Sequence, residues 1–203
     1  MKSKVAGIIF IFLSIYYMLV EFISATFTNT SLFNTYSFYT ISELGIPNQF
    51  SSYYYLMNSG FVVVGLGLLL GVFLKFKDLI VKNKLIFYVL TFVTSIGVII
   101  VAVIHGGNPL TLSYHMLGAI MAIFGGNLLL IVVSRSMSEF GTYQKISLTL
   151  GIIGEFSFLL LVVFNSCDFF PVFERLSVYT LILWSFFTGI YLLGNSLNTL
   201  MLI

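Results

Sequence analysis

The residues of this chain with the most chemical capacity are two histidines, His105 and His115. They flank a polar break, His105-Gly106-Gly107-Asn108-Pro109 and onward, between two long apolar runs. Neutral imidazole serves as a general base or a zinc ligand, and a nearby carboxylate completes either arrangement. Glu21, Glu43, Asp168 and Glu174 are the carboxylates that the hydropathy pattern brings to the same level. His105, His115, Glu43, Asp168 and Glu174 are therefore the candidates for acid–base chemistry, and the two histidines are also the candidates for a metal. Glu21, Arg175 and Tyr39 are candidate ligand-binding residues at that level. The spacing singles out no one reaction. A turn containing Pro109 separates the histidines, where a zincin holds them at i, i+4 on one helix. Neither H-E-x-x-H nor G-x-S-x-G occurs, and Ser42 and Ser113 lie in no nucleophile elbow. Nothing in the sequence names a cofactor.

One further acid stands apart. Glu155 falls near the middle of an apolar run, between Gly154 and a phenylalanine. A charged side chain at the centre of a spanning helix costs about 2.5–3.5 kcal/mol on insertion scales, so it needs a reason. Asn127, Thr94 and Ser95 lie at similar depth on other runs and are candidate hydrogen-bond partners. Two readings stand: a proton relay, or a neutral carboxylic acid that cross-links helices.

The elements that must position these groups are membrane helices. The chain has 203 residues, 59% hydrophobic and 8% charged, with mean hydropathy +1.08. A soluble domain carries roughly a quarter charged residues, so the bilayer is the solvent for most of this chain. Six apolar runs, approximately Val5–Ala25, Tyr53–Phe76, Leu85–His105, Tyr114–Ser134, Ile146–Ser166 and Leu176–Ser196, are each long enough to cross it. They are apolar all round rather than alternating, which excludes a strand barrel. The expected fold is all-α: one bundle of six transmembrane helices.

Orientation follows from the basic residues. One set of loops and ends holds Lys2, Lys4, Lys75, Lys77, Lys82, Lys84, Arg135 and Lys145, and the other holds only Arg175. The positive-inside bias predicts both termini in the cytoplasm of a multi-pass cell-membrane protein. Lys2, Lys4 and Ala25 also give the first run a faint signal-peptide character, but it is too long for an h-region. The longest connection, Thr26 to Ser52, is rich in Tyr and Phe without a basic residue, and is expected to lie along the outer rim at headgroup level. Asn29-Thr30-Ser31 within it is an N-glycosylation acceptor pattern. The basic loops, including the one that carries Glu139, suffice as topology signals in contact with anionic lipid. Net charge is +2, spread over short loops, which argues against nucleic acid. Cys167 is the single cysteine, so no internal disulfide forms, and it reads as a small boundary residue.

Small residues mark packing faces. Gly67 and Gly71 form a G-x-x-x-G, and His115, Ala119, Ala122 and Gly126 make one helical stripe. Both read as contacts within the bundle.

Several short pieces together resemble the prokaryotic six-helix membrane family catalogued as domain of unknown function nine-nine-eight, which is distantly similar to DRAM-type membrane proteins. They are Tyr39-Thr40-Ile41-Ser42-Glu43-Leu44-Gly45, the hairpin Gly106-Gly107-Asn108-Pro109, His115 with Ala119, Glu174-Arg175-Leu176, and Leu183-Trp184. The resemblance spans nearly the whole chain and implies the same six-helix fold. Many relatives carry Phe-Pro and an acid where this chain has the His105 segment. The expected function is a non-catalytic accessory or lipid- or partner-binding subunit of a membrane assembly, with membrane lipids and other membrane-protein subunits as partners. The alternative is an outer-leaflet lipid-processing enzyme built on His105, His115 and the outer carboxylates.

Overall fold

The structure is a computed structural model that describes residues 1–138 and 141–200, with side chains through residue 194. Glu139 lies outside the described residues. The described chain forms seven α-helices: α1 (Lys2–Thr26), α2 (Leu32–Phe38), α3 (Tyr54–Leu74), α4 (Lys84–Val103), α5 (Leu112–Ser136), α6 (Thr142–Val163) and α7 (Phe170–Leu200). All but α2 are long and apolar enough to cross a membrane. Among the described residues there is no β-strand, only two isolated bridges. This is a multi-pass membrane fold.

The six long helices form a closed ring in chain order. Each packs on the next, and α7 returns to pack on α1. Neighbours are antiparallel, as short connections require. One end of the ring therefore gathers the eight basic residues of the short loops and the N-terminal segment. The other end gathers the 27–53 connection, both histidines and Arg175.

Within lipid, hydrophobicity does not drive helices together, so close van der Waals packing must. Two crossings depend on glycine pairs. A Cβ on Gly97 of α4 would stand 2.7 Å from the Gly118 carbonyl of α5, and one on Gly189 of α7 would stand 2.7 Å from the Gly7 carbonyl of α1. The Gly67 and Gly71 pair receives Leu13 and Phe10 of α1, so that motif is a packing face inside the bundle. At the basic end an aromatic knot closes the core. The ring of Phe76 lies 6.1 Å from Phe10 and 5.6 Å from Trp184, both edge-on, and Phe76 is fully buried. The two basic-end loops are stitched together by the Val81 and Lys82 N–H groups, which both donate to the Ser136 carbonyl.

The helix α6 stands apart. Only 22% of its apolar stretch is buried, against 44–50% in the other five spans. Its neighbours α5 and α7 touch each other behind it.

The 27–53 connection folds as a cap over the ring. Ser31 caps α2 by accepting the Asn34 N–H. Ser51 donates to the Ser24 carbonyl at 2.7 Å, and Ser24 donates to the Tyr53 carbonyl at 3.1 Å, which pins the base of the cap to α1. Ile41 and Leu44 drop into the bundle, 1% and 0% exposed.

Gly97→Val is expected to destabilise the protein by about 1–3 kcal/mol, the usual cost of overpacking. Gly194→Val, where a Cβ meets nothing within 4 Å, should be close to neutral. Thermal unfolding in detergent micelles reads both.

Candidate functional site

The loop end is organised around Arg175, near the start of α7. Its Nε donates to Glu21 Oε1 of α1 at 3.3 Å. One Nη donates to the Tyr36 carbonyl at 3.2 Å and to the Tyr39 carbonyl of the cap. The guanidinium also lies 4.9 Å from the centre of the Tyr36 ring, a cation–π contact. Tyr179, one turn further along α7, donates to the same Glu21 oxygen at 2.8 Å. Glu21 is fully buried and Arg175 is 4% exposed, so each charge depends on the other. Burial pushes the Tyr36 phenol up to about 12, with the Glu21 charge adding and the Arg175 charge opposing, so it stays protonated.

Glu174 faces another way. Residues i and i+1 of a helix do not share a face, so Glu174 and Arg175 do not pair. Glu174 Oε2 accepts the Ile41 N–H at 3.0 Å and so holds the inner turn of the cap. Glu43 is committed locally. Its Oε2 accepts from the Thr40 N–H at 2.6 Å and the Thr40 hydroxyl at 2.9 Å, while the Glu43 N–H donates back to Thr40 Oγ1 at 3.2 Å. This is a capping box, and the pattern Thr40-Ile41-Ser42-Glu43 is its sequence signal. Asp168 lies elsewhere, with Cys167 in a polar crevice beside α2. Arg175 thus reaches Glu21, and neither Glu43 nor Asp168.

Each histidine has a fixed partner. The His115 Nδ1–H donates to the Ile104 carbonyl at 2.6 Å, a bond that ties the head of α5 to the end of α4. His105 Nε2 accepts from the Asn58 side-chain amide at 3.2 Å, and that amide also donates to the Gly45 carbonyl of the cap at 2.8 Å. Burial lowers the His105 pKa, and the charge of His115 lowers it further. Among the described residues, no group of three or more His, Cys, Asp or Glu side chains could hold a metal ion. His115 thus clasps the α4–α5 hairpin, and His105 shares with the cap the amide of Asn58.

Glu155 is half-buried on α6 and makes no hydrogen bond, with Oε1 buried and unpartnered. Asn127 is not its partner. The Asn127 amide donates to the Ile123 and Ser177 carbonyls and accepts from Thr180 Oγ1 at 2.6 Å. Thr94 and Ser95 are buried on α4 with their own hydroxyl oxygens unpartnered, so they do not serve Glu155 either.

Beneath the cap, five of the six spans line a cavity of about 50 Å³. Tyr17, Ser42, Glu174 and Ser177 supply its polar residues, and the rest of its wall is predominantly aliphatic. Sequence reasoning missed Tyr17, Asn58, Ser177 and Tyr179. Tyr17 and Ser177 lie on buried faces and Asn58 and Tyr179 are half-buried, and polar residues recurring on one face of a spanning helix were the available signal.

No family model, curated protein or solved structure matches the chain.

Arg175→Met is expected to cost about 3–5 kcal/mol by stranding the Glu21 carboxylate. The double variant Glu21→Leu/Arg175→Met should recover most of that loss in thermal unfolding. His105 sets a pH dependence of definite sign. The folded state disfavours protonated His105, so its contribution is whole above the unfolded value near 6.5 and fades as pH falls below it. Proteolysis of the 27–53 cap should accelerate from pH 7.5 to pH 5 in the wild type and less so in His105→Gln.

Proposed function

We propose that this protein is a non-catalytic multi-pass subunit of a cell-membrane assembly that binds lipid or partner helices, with both termini in the cytoplasm. The observation that carries this reading is the commitment of the outer groups to the fold. Glu21, Glu43, Glu174, Arg175, His105 and His115 all hold the cap or the helices in place. A general base or nucleophile must instead be free to meet substrate.

Two exposed features supply the docking surfaces. The outer flank of α6 leaves Ile152, Phe156 and Leu159 each more than half exposed, and Glu155 lies beside them. A partner helix that donates a hydrogen bond to Glu155 would relieve an otherwise costly group. On the cap Phe33 is 74% exposed and Phe38 about half exposed, as is Tyr55 in the first turn of α3, which suits rings that settle among lipid headgroups. The eight basic residues at the opposite end favour a cytoplasmic face against anionic lipid. Membership of the six-helix family named above belongs to the same proposal.

Orientation and docking are tested separately. In a Cys167→Ser background, a membrane-impermeant maleimide on intact cells should label Asp168→Cys and leave Lys82→Cys untouched; the reverse pattern would invert the topology. Photo-cross-linking residues at Ile152 and Phe156 should capture a discrete membrane protein in cells. Adducts to lipid alone at both positions would remove the subunit role.

A further inference from the structure

We propose that the cavity beneath the cap holds a single-chain amphiphile with a neutral hydroxylated head, of the kind presented by a fatty alcohol. The inference rests on the lipid-binding part of the reading above and gives it a site.

Three observations define the ligand. The first is an unanswered donor. Tyr17 is 1% exposed, its hydroxyl has no hydrogen-bond partner, and it lines the cavity. A buried hydroxyl left unpaired costs about 1–3 kcal/mol, so a polar group should meet it there. Glu174, Ser42 and Ser177 line the same cavity. Ser177 already donates to the Phe173 carbonyl, the Ser42 hydroxyl is paired with Thr40 Oγ1, and Glu174 accepts from Ile41, which leaves Tyr17 as the unpartnered hydroxyl of the lining.

The second is the character of the walls. Val64, Val98, Val101, Ala119, Ala122 and Leu181 come from four different helices, and all are hydrocarbon. A cavity needs roughly 10–15 Å³ to admit one water by the same measure, and this one offers about 50 Å³. Water finds partners only at the polar end, among Tyr17, Ser42, Glu174 and Ser177, whereas along the hydrocarbon walls methylene groups gain contacts that water does not.

The third is shape. The wall supplied by α7 runs from Glu174 to Ile182, roughly 12 Å at 1.5 Å per residue. A space of about 50 Å³ along that wall has room for one alkyl chain at most and none for a two-chain phospholipid.

Charge selects the head. Glu174 lines the cavity and Glu21 lies one turn from Tyr17 on α1, so a phosphate or carboxylate head would meet repulsion. Arg175 is one guanidinium beside two carboxylates, and its Nε is already paired with Glu21, so it offsets only part of that repulsion. A fixed cation would have to shed its water in a hydrocarbon-walled space. A neutral hydroxyl can accept from Tyr17 and donate to a carboxylate oxygen at little desolvation cost.

The test uses the full chain reconstituted in phosphatidylcholine vesicles, with decan-1-ol bearing a chain diazirine as the probe. Irradiation should label inward-facing residues of α4 and α5, in the Val98–Val101 and Ala119–Ile123 segments. Excess decan-1-ol should suppress that labelling, while decane and decyl phosphate should not. Ala122→Leu fills the cavity from α5 and Val64→Phe fills it from α3; each should cut the labelling about tenfold or more while the melting temperature holds or rises. Tyr17→Phe, nearly isosteric, should weaken competition by decan-1-ol about fivefold, the equivalent of one lost hydrogen bond. Labels confined to lipid-facing residues such as Ile96 and Phe156, or competition by decane as strong as by the alcohol, would overturn the proposal. That result leaves the subunit role standing, because the α6 cross-links report on it independently. Chemical conversion of the bound alcohol would instead defeat the non-catalytic reading and keep the site.

Discussion

The structure depends on one ion pair in a place where charge is expensive. Glu21 and Arg175 are buried at the loop end of a bundle whose solvent is lipid. Neither can be left alone there, because an unpaired buried charge costs more than the pair itself returns. The guanidinium has donors to spare, and one Nη serves two carbonyls of the cap. A single side chain thereby joins α1, α7 and the 27–53 connection. The cap in turn brings Ile41 and Leu44 over the ring, and Glu174 fixes Ile41 from the neighbouring position on α7. The cavity has a roof because these bonds hold.

The helices were legible because lipid imposes a simple rule on sequence. About 20 apolar residues must follow one another, and every backbone group must be satisfied within the segment. The runs near Val5–Ala25 and Leu85–His105 announce themselves on that ground, and α1 and α4 lie over them. The short helix α2 and the capping box at Thr40–Glu43 were equally present in the sequence as Ser31 and as T-x-x-E, yet hydropathy does not register them. The pairing of charges was not legible at all. Arg175 stands next to Glu174 in the chain, and the helix turns the two onto different faces. Its actual partner is 154 positions away, and only the closure of α7 onto α1 makes them neighbours.

Two intramembrane polar groups met different fates for a related reason. Asn127 lies on a helix packed from both sides and finds Thr180 and Ser177 of α7 within reach. Glu155 lies on the helix with the least cover, and its buried Oε1 has no hydrogen-bond partner among the described residues. Depth in the bilayer, which sequence conveys well, was the same for both. Cover by other helices, which sequence conveys poorly, decided the outcome.

Because each helix packs on the one that follows it, most of the ring can assemble as it emerges from the ribosome, and the contacts of α7 with α1 and the cap come last. The carboxylate on α1 must wait for a guanidinium encoded 154 residues later. At a typical elongation rate of about 5–20 residues per second, that wait lasts on the order of ten seconds. During it, the first helix must keep its acid neutral, wet, or sheltered by the insertion machinery. The last span is therefore both a wall of the finished bundle and the step that ends its most vulnerable interval.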